Sequence, residues 1–173
     1  MAKNHQKLAV FPGTFDPITM GHVDIIRRGR KLFDKLVVAV GRNPEKASWF
    51  SSEERMQMIR EVTAGLDGVF VEAYDGLTME YVRRKGAAVI LRGIRDSVDL
   101  RDELQAANTN LLVGDVETVF LMTSDQHALT SSMLIRQIVQ IGGYDPERLR
   151  RLVPEAVAER LARRLDAHAQ PGE

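Results

Sequence analysis

Apolar residues along the chain fall into two alternating patterns. Nearly continuous apolar runs occur at residues 7–12 (KLAVFP), 36–41 (LVVAVG), 69–74 (VFVEAY), 88–92 (AVILR) and 117–122 (ETVFLM). Short runs rich in Val, Ile, Leu and Phe predict strands buried on both faces, as in a parallel sheet. Between them, apolar positions recur at helical spacing over 21–33, 52–64, 77–85 and about 99–112, each long enough to cross from one parallel strand to the next. Ser51 with Glu54 three residues later reads as a capping box opening the second helix, and Gly86 as the stop after the third. The series predicts an α/β fold: a Rossmann-like, doubly wound, five-stranded parallel sheet with ligands beyond the carboxyl ends of its strands. After the fifth strand the pattern is helical over 131–141 and from 147 to about 167. One domain, 1–173, is expected, with a core of about 7–166 and a frayed tail beyond. The segment 42–50 (RNPEKASWF) is the expected flexible connection, with Trp49 and Phe50 as its anchors.

Composition narrows the function. Lysine and arginine number 24 against 24 aspartates and glutamates, so the chain lacks the lopsided positive charge of a protein that lives on nucleic-acid backbones. Small anions stay possible, because they need only a few local donors. With no cysteine, disulfides, thiolate metal sites and a cysteine nucleophile are excluded. No apolar run approaches the ~18 residues of a membrane span, and the first residues, MAKNHQK, lead straight into a strand. The expectation is a cytoplasmic protein without membrane or nucleic-acid partners.

The residues just past the predicted strands carry the chemistry. After the first strand, 12–22 reads PGTFDPITMGH and runs into a helix. Gly13 and Gly21 let a backbone approach phosphate oxygens, Thr14 adds a hydroxyl, and His22 a donor in the first helical turn, where amides and the helix dipole face an anion. A tight strand-to-helix turn with Thr19 as its cap explains TxGH equally well taken alone. After the fourth strand, LRGIR brings Arg92 and Arg95 around Gly93, forks suited to phosphate or ordinary salt-bridge partners. After the fifth, Thr130, Ser131 and Ser132 open another helix, as caps or as anion donors. Neither GxGxxG nor GxxxxGK[ST] is present, so dinucleotide enzymes and P-loop ATPases lack their signatures.

PGTFDPITxGH, the loop lysine, LRGIR and the TSSxLIR helix start together resemble the bacterial phosphopantetheine adenylyltransferases of the HxGH/TxGH nucleotidyltransferase superfamily, over roughly residues 7–160. The resemblance implies transfer of the adenylyl group of ATP to 4′-phosphopantetheine, giving dephospho-coenzyme A and pyrophosphate. It implies His22 as transition-state stabiliser, with Thr14, Lys46 and Arg92 completing the catalytic set, and Thr14, Lys46, Thr78 and Arg92 as contacts to phosphopantetheine. ATP is expected at Thr14, Phe15, His22, Gly93, Ile94, Arg95, Glu103, His127, Ala128, Leu129, Thr130, Ser131, Ser132 and Met133. Glu103 would accept from ribose hydroxyls, unless it is an exposed helix carboxylate. Magnesium is expected to arrive with the nucleotide, held by phosphate and water, because no carboxylate cage is evident. A homohexamer and feedback by coenzyme A are further implications. The chain departs from the family pattern at Met20, Ala47, His127, Met133 and Gln137, where relatives often carry Asn or Leu, Lys, an aromatic, Ser or Thr, and Glu respectively. The alternatives are a nicotinate or nicotinamide mononucleotide adenylyltransferase, which normally shows His at the position of Thr19, and a non-catalytic nucleotide-binding module.

Overall fold

A computed structural model of the chain describes residues 7–42, 47–127, 130–142 and 144–169. Five strands, β1 (Leu8–Gly13), β2 (Lys35–Gly41), β3 (Val69–Tyr74), β4 (Val89–Ile94) and β5 (Glu117–Met122), form one parallel sheet in the order β3-β2-β1-β4-β5. Helices α1 (Met20–Leu32), α2 (Ser52–Thr63), α3 (Thr78–Arg84) and α4 (Ser97–Gly114) make the crossovers. The order reverses at β1, which pairs with both β2 and β4. Ligands in open parallel sheets bind at such a switch point.

Alternation along the central strands divides the core. Ala9 and Phe11 of β1, with Leu36, Val38 and Val40 of β2, face the larger layer built on α1, α2, α5 (Ser132–Ile141) and α7 (Glu155–Ala169). Val10, Val37 and Ala39 face the smaller layer with Tyr81 and Val82 of α3. The apolar runs thus fill both faces of the sheet, which is why they are nearly continuous in the sequence. The capping box at Ser51 is present, with Ser51 Oγ accepting from Glu54 N at 3.2 Å and Glu54 Oε2 accepting from Ser51 N at 2.7 Å. Gly86 follows α3 with φ +62°, the left-handed conformation that stops a helix.

Element ends shift by a residue or two from expectation, and two differences change the picture. β4 continues to Ile94, pairing Arg92 with Phe120 and Gly93 with Leu121 of β5, so most of LRGIR lies inside the ladder and not in the turn after it. The single helix expected from 147 to about 167 is two, α6 (Pro146–Leu149) and α7. Pro154 explains the break: it has no N–H, and its ring clashes with a preceding helical turn. Its carbonyl instead opens α7, accepting from Val157 N at 2.9 Å and Ala158 N at 3.0 Å. Leu149, Val157 and Leu161 are buried.

Candidate active site

The turn between β1 and α1 is shaped by Phe15. Its φ is +50°, a conformation that costs a non-glycine residue roughly 1–2 kcal/mol. Its ring is 2% exposed and meets Phe11 edge-on at 5.3 Å, and burying a phenyl ring stabilises by about 1.5–3 kcal/mol, enough to hold that conformation. The same ring explains Gly13: a Cβ there would stand 2.8 Å from Phe15 Cζ. Gly21 is less constrained, since a Cβ would make ordinary contact 3.5 Å from the His127 carbonyl.

Thr19 caps α1, but through a box that uses histidine. Thr19 Oγ1 accepts from His22 N at 3.4 Å, and His22 Nδ1 accepts from Thr19 N at 3.0 Å. A backbone N–H can only donate, so Nδ1 carries the lone pair and Nε2 the proton. Burial, with the charges of Arg92 and Arg95 adding to it, pushes the imidazole down to about 4. His22 is therefore a neutral ring with one N–H to offer at neutral pH.

A pH dependence follows from that value. Well above pH 6.5 the ring is neutral in both folded and unfolded chains, and His22 takes nothing from stability. Between 6.5 and about 4 the unfolded chain takes up the proton and the folded one does not, so stability falls as acid is added. Urea unfolding of His22→Gln, which keeps an acceptor for Thr19 N–H, should lose less stability than wild type over that interval. Equal losses would refute the assignment.

At the end of β4, Arg92 donates from Nε to Glu103 Oε2 at 2.7 Å, from Nη2 to Glu103 Oε1, and from Nη1 to the Pro12 carbonyl at 2.5 Å. Arg95 holds Asp99 through Nε and Nη2 at 2.6 and 2.7 Å. Both arginines are thus salt-bridged and also border a cavity, so the two readings of LRGIR are compatible. Gly93 is required here, because a Cβ would lie 2.9 Å from Ile25 Cγ1.

Two adjoining cavities open over the carboxyl ends of the strands. The smaller, about 410 Å³, is bordered by Thr14, Phe15, His22, Gly93, Arg95 and Ser131, among others. The larger, about 1020 Å³, is bordered by Arg42, Arg55, Tyr74, Thr78, Ala106 and Asn110, among others. Thr14, Ser48, Arg92 and Glu103 belong to both. A pair of compartments meeting at a hydroxyl and an arginine suits two substrates that react where they touch.

The structure brings together Thr14, Phe15, His22, Arg92, Gly93, Arg95, Glu103, Thr130, Ser131, Ser132 and Met133 around the smaller cavity, and Thr78 on the larger. Ile94 is 1% exposed and packs in the interior, and neither it nor His127 lines either cavity among the described residues. Ser132 Oγ donates to the Pro17 carbonyl at 2.8 Å, which leaves its backbone N–H as the donor for an anion. Ser131 caps α5, accepting from Leu134 N at 3.0 Å, with its own proton still to give. Thr78 Oγ1 lies 2.8 Å from the Tyr74 hydroxyl. Lys46, Ala128 and Leu129 lie outside the described residues. Missed from the sequence were Asp16, Arg55 and Arg136. Asp16 and Arg136 stand inside the quoted motifs, but their partners lie far along the chain.

Comparison with known proteins adds three findings. The model of the cytidylyltransferase-like family matches residues 10–138. A phosphopantetheine adenylyltransferase of Alkalilimnicola ehrlichii is 45% identical over 169 residues, covering 96% of this chain and 95% of its own, and one of Caldanaerobacter subterraneus is 46% identical over 156 residues, covering 90% and 95%. Among solved structures, the nicotinic acid mononucleotide adenylyltransferase of Plasmodium falciparum superposes with a TM-score of 0.68 at 12% identity, over 92% of this chain and 96% of that one; at that identity the likeness concerns the fold.

Proposed function

The chain belongs to the phosphopantetheine adenylyltransferases of the cytidylyltransferase-like family, and from that membership we propose how its site performs the family's reaction. It is an enzyme that transfers the adenylyl group of ATP to 4′-phosphopantetheine, releasing pyrophosphate and forming dephospho-coenzyme A. An oxygen of the acceptor phosphate bonds to the α-phosphorus of ATP while the bond from that phosphorus to the α,β-bridging oxygen breaks.

The acceptor phosphate has a second pKa of about 6 and is mostly dianionic at neutral pH, so no protein base is needed. The work left to the chain is alignment and charge stabilisation. ATP takes the smaller cavity and phosphopantetheine the larger, and Thr14 on their shared border orients the attacking phosphate. His22, neutral with its proton on Nε2, donates to the α-phosphate as charge builds. It cannot also act as a base, because Nδ1 is occupied by Thr19 N–H. Arg92 holds the acceptor phosphate and Arg95 the nucleotide phosphates, with Ser131 and the amides at the start of α5. Glu103 takes the ribose hydroxyls while bracing Arg92. Lys46 joins the acceptor's contacts on the strength of the resemblance alone.

Magnesium enters with ATP. Among the described residues no three His, Asp or Glu side chains gather to hold an ion, and the donors around the smaller cavity suit phosphate better than metal. The ion's chemistry is neutralisation of the departing pyrophosphate. We further expect cytoplasmic activity, inhibition by coenzyme A and a homohexamer. Exposed Leu100, Leu104, Leu111, Leu112 and Val113 on α4 supply apolar surface for assembly, which light scattering at micromolar concentration should read as six times the chain mass.

The observation carrying the reading is the meeting of both cavities at Thr14 and Arg92, beside His22. A pyrophosphate-release assay with ATP and 4′-phosphopantetheine, nicotinate mononucleotide or nicotinamide mononucleotide tests it. Turnover is expected with phosphopantetheine; turnover confined to a mononucleotide would overturn it.

A further inference from the structure

Two charged side chains beneath the β1 turn are buried and play no part in the steps above. Asp16 is 3% exposed and Arg55 4%. Asp16 Oδ2 accepts from Trp49 N at 2.8 Å and Oδ1 from Phe50 N at 2.9 Å. Arg136 Nη1 lies 3.7 Å from Asp16 Oδ2 and donates to the Asp16 carbonyl. Arg55 donates from Nη1 to the Thr14 carbonyl at 2.7 Å and reaches the Gly41 carbonyl at 3.5 Å, while its Nε bonds the Ser51 carbonyl at 3.4 Å. Burial pushes the Arg55 guanidinium down, and the charge of Asp16 opposes that shift. The Arg164 guanidinium lies over the rings of Trp49 and Phe50 at 5.9 and 5.4 Å.

Burying a carboxylate and a guanidinium costs several kcal/mol unless every polar atom is matched, and apolar residues would fill such a corner at less cost. What the charges achieve is a tie between segments far apart in sequence. The turn carrying Thr14, the end of β2, the start of α2 and the middle of α5 meet around these two side chains. Ala47 and Ser48 directly precede Trp49, and they border the smaller cavity, with Ser48 bordering the larger as well. Both Asp16 and Arg55 face a cavity, yet their bonds are made to the chain itself.

We propose that Asp16 is a positioning residue for adenylyl transfer, with Arg55 holding the Thr14 carbonyl: Asp16 fixes the wall formed by Ala47 and Ser48 relative to Thr14, and so aligns one substrate on the other. The proposal rests on the adenylyltransferase reading above. Misplacing reacting groups by about 1 Å can cost about 100-fold in rate while each ligand still binds. The effect should therefore fall on kcat and not on the affinity for either substrate alone.

Asp16→Asn in the full chain tests this. The amide keeps one acceptor oxygen but turns an NH₂ toward the other N–H, so one of the two ties is lost. Trp49 is the single tryptophan in the sequence, and its emission therefore reports this segment directly. Expected are near-wild-type circular dichroism, red-shifted and more readily quenched Trp49 emission, and kcat lower by about 30- to 100-fold, with equilibrium binding of ATP and of phosphopantetheine each within about threefold. An unchanged kcat with a loosened Trp49 overturns the proposal, as does a lost kcat with Trp49 undisturbed, or a fall in activity accounted for by weaker binding. Should Asp16→Asn fail to fold, Asp16→Glu, which keeps both acceptor oxygens but displaces them by one methylene from Trp49 N and Phe50 N, carries the same readouts. Wild type is assayed first: turnover only with a mononucleotide refutes the acceptor assignment and leaves the positioning role to be read with that acceptor, and no turnover with any acceptor overturns both.

Discussion

Replacing His22 by alanine should lower turnover by about 100-fold or more while leaving ATP affinity nearly unchanged, the signature of a donor whose bond strengthens only as the transition state forms. The low imidazole value of about 4 supports a neutral donor at neutral pH. Alanine has a second effect, since it also strips Thr19 N–H of its acceptor and weakens the start of α1 by about 1 kcal/mol. His22→Gln separates the two, because glutamine is an ordinary third residue of a capping box. It should melt near wild type yet remain slow, its amide being turned to the cap. Calorimetry for ATP binding and pyrophosphate release for turnover decide the matter. Turnover within about threefold of wild type in both variants would remove His22 from the chemistry.

The second large effect is expected at Arg92. Its guanidinium serves both Glu103 oxygens and the Pro12 carbonyl at once, which fixes its plane on the border between the cavities. Lysine keeps the charge, but a single ammonium on a flexible stem cannot hold that geometry. Arg92→Lys should raise KM for phosphopantetheine by about 10- to 100-fold, the equivalent of one charge-assisted hydrogen bond of about 1.5–3 kcal/mol, with KM for ATP changed much less. An unaltered KM for phosphopantetheine would reduce Arg92 to a salt-bridge partner of Glu103.

Local physics was legible in the sequence, and long-range ties were not. The apolar run at 36–41 predicted a strand buried on both faces, and β2 is that strand. Ser51, Glu54 and Gly86 announced a helix start and a helix stop through contacts within one turn. The cap at Thr19 was foreseen, but its reciprocal partner was not, because histidine fills the place where a capping box usually holds Glu or Gln. Pro154 was visible all along, yet the apolar spacing around it continued at helical period and hid the break. Asp16 stood in a quoted motif without a role, since its partners Trp49 and Phe50 lie 33 and 34 residues away. The same holds for Arg55 and Thr14, 41 residues apart. Such pairings arise from the sheet, and no sequence window contains them.

The strand register carries one more consequence. β1 matches β2 along its whole length, from Leu8 against Lys35 to Gly13 against Val40, whereas β4 meets β1 only at Ala9 with Val89 and Val10 with Ile90. The join between β1 and β4 also closes a far longer loop than the join between β1 and β2, which costs more chain entropy and favours late assembly. The seam between the two halves is therefore the joint that forms late, and both cavities span it, bordered by Gly13 and Thr14 on one side and by Arg92 and Glu103 on the other. A nucleotide in the smaller cavity would then act as a stitch between the two halves, because ligand binding favours the assembled state by mass action.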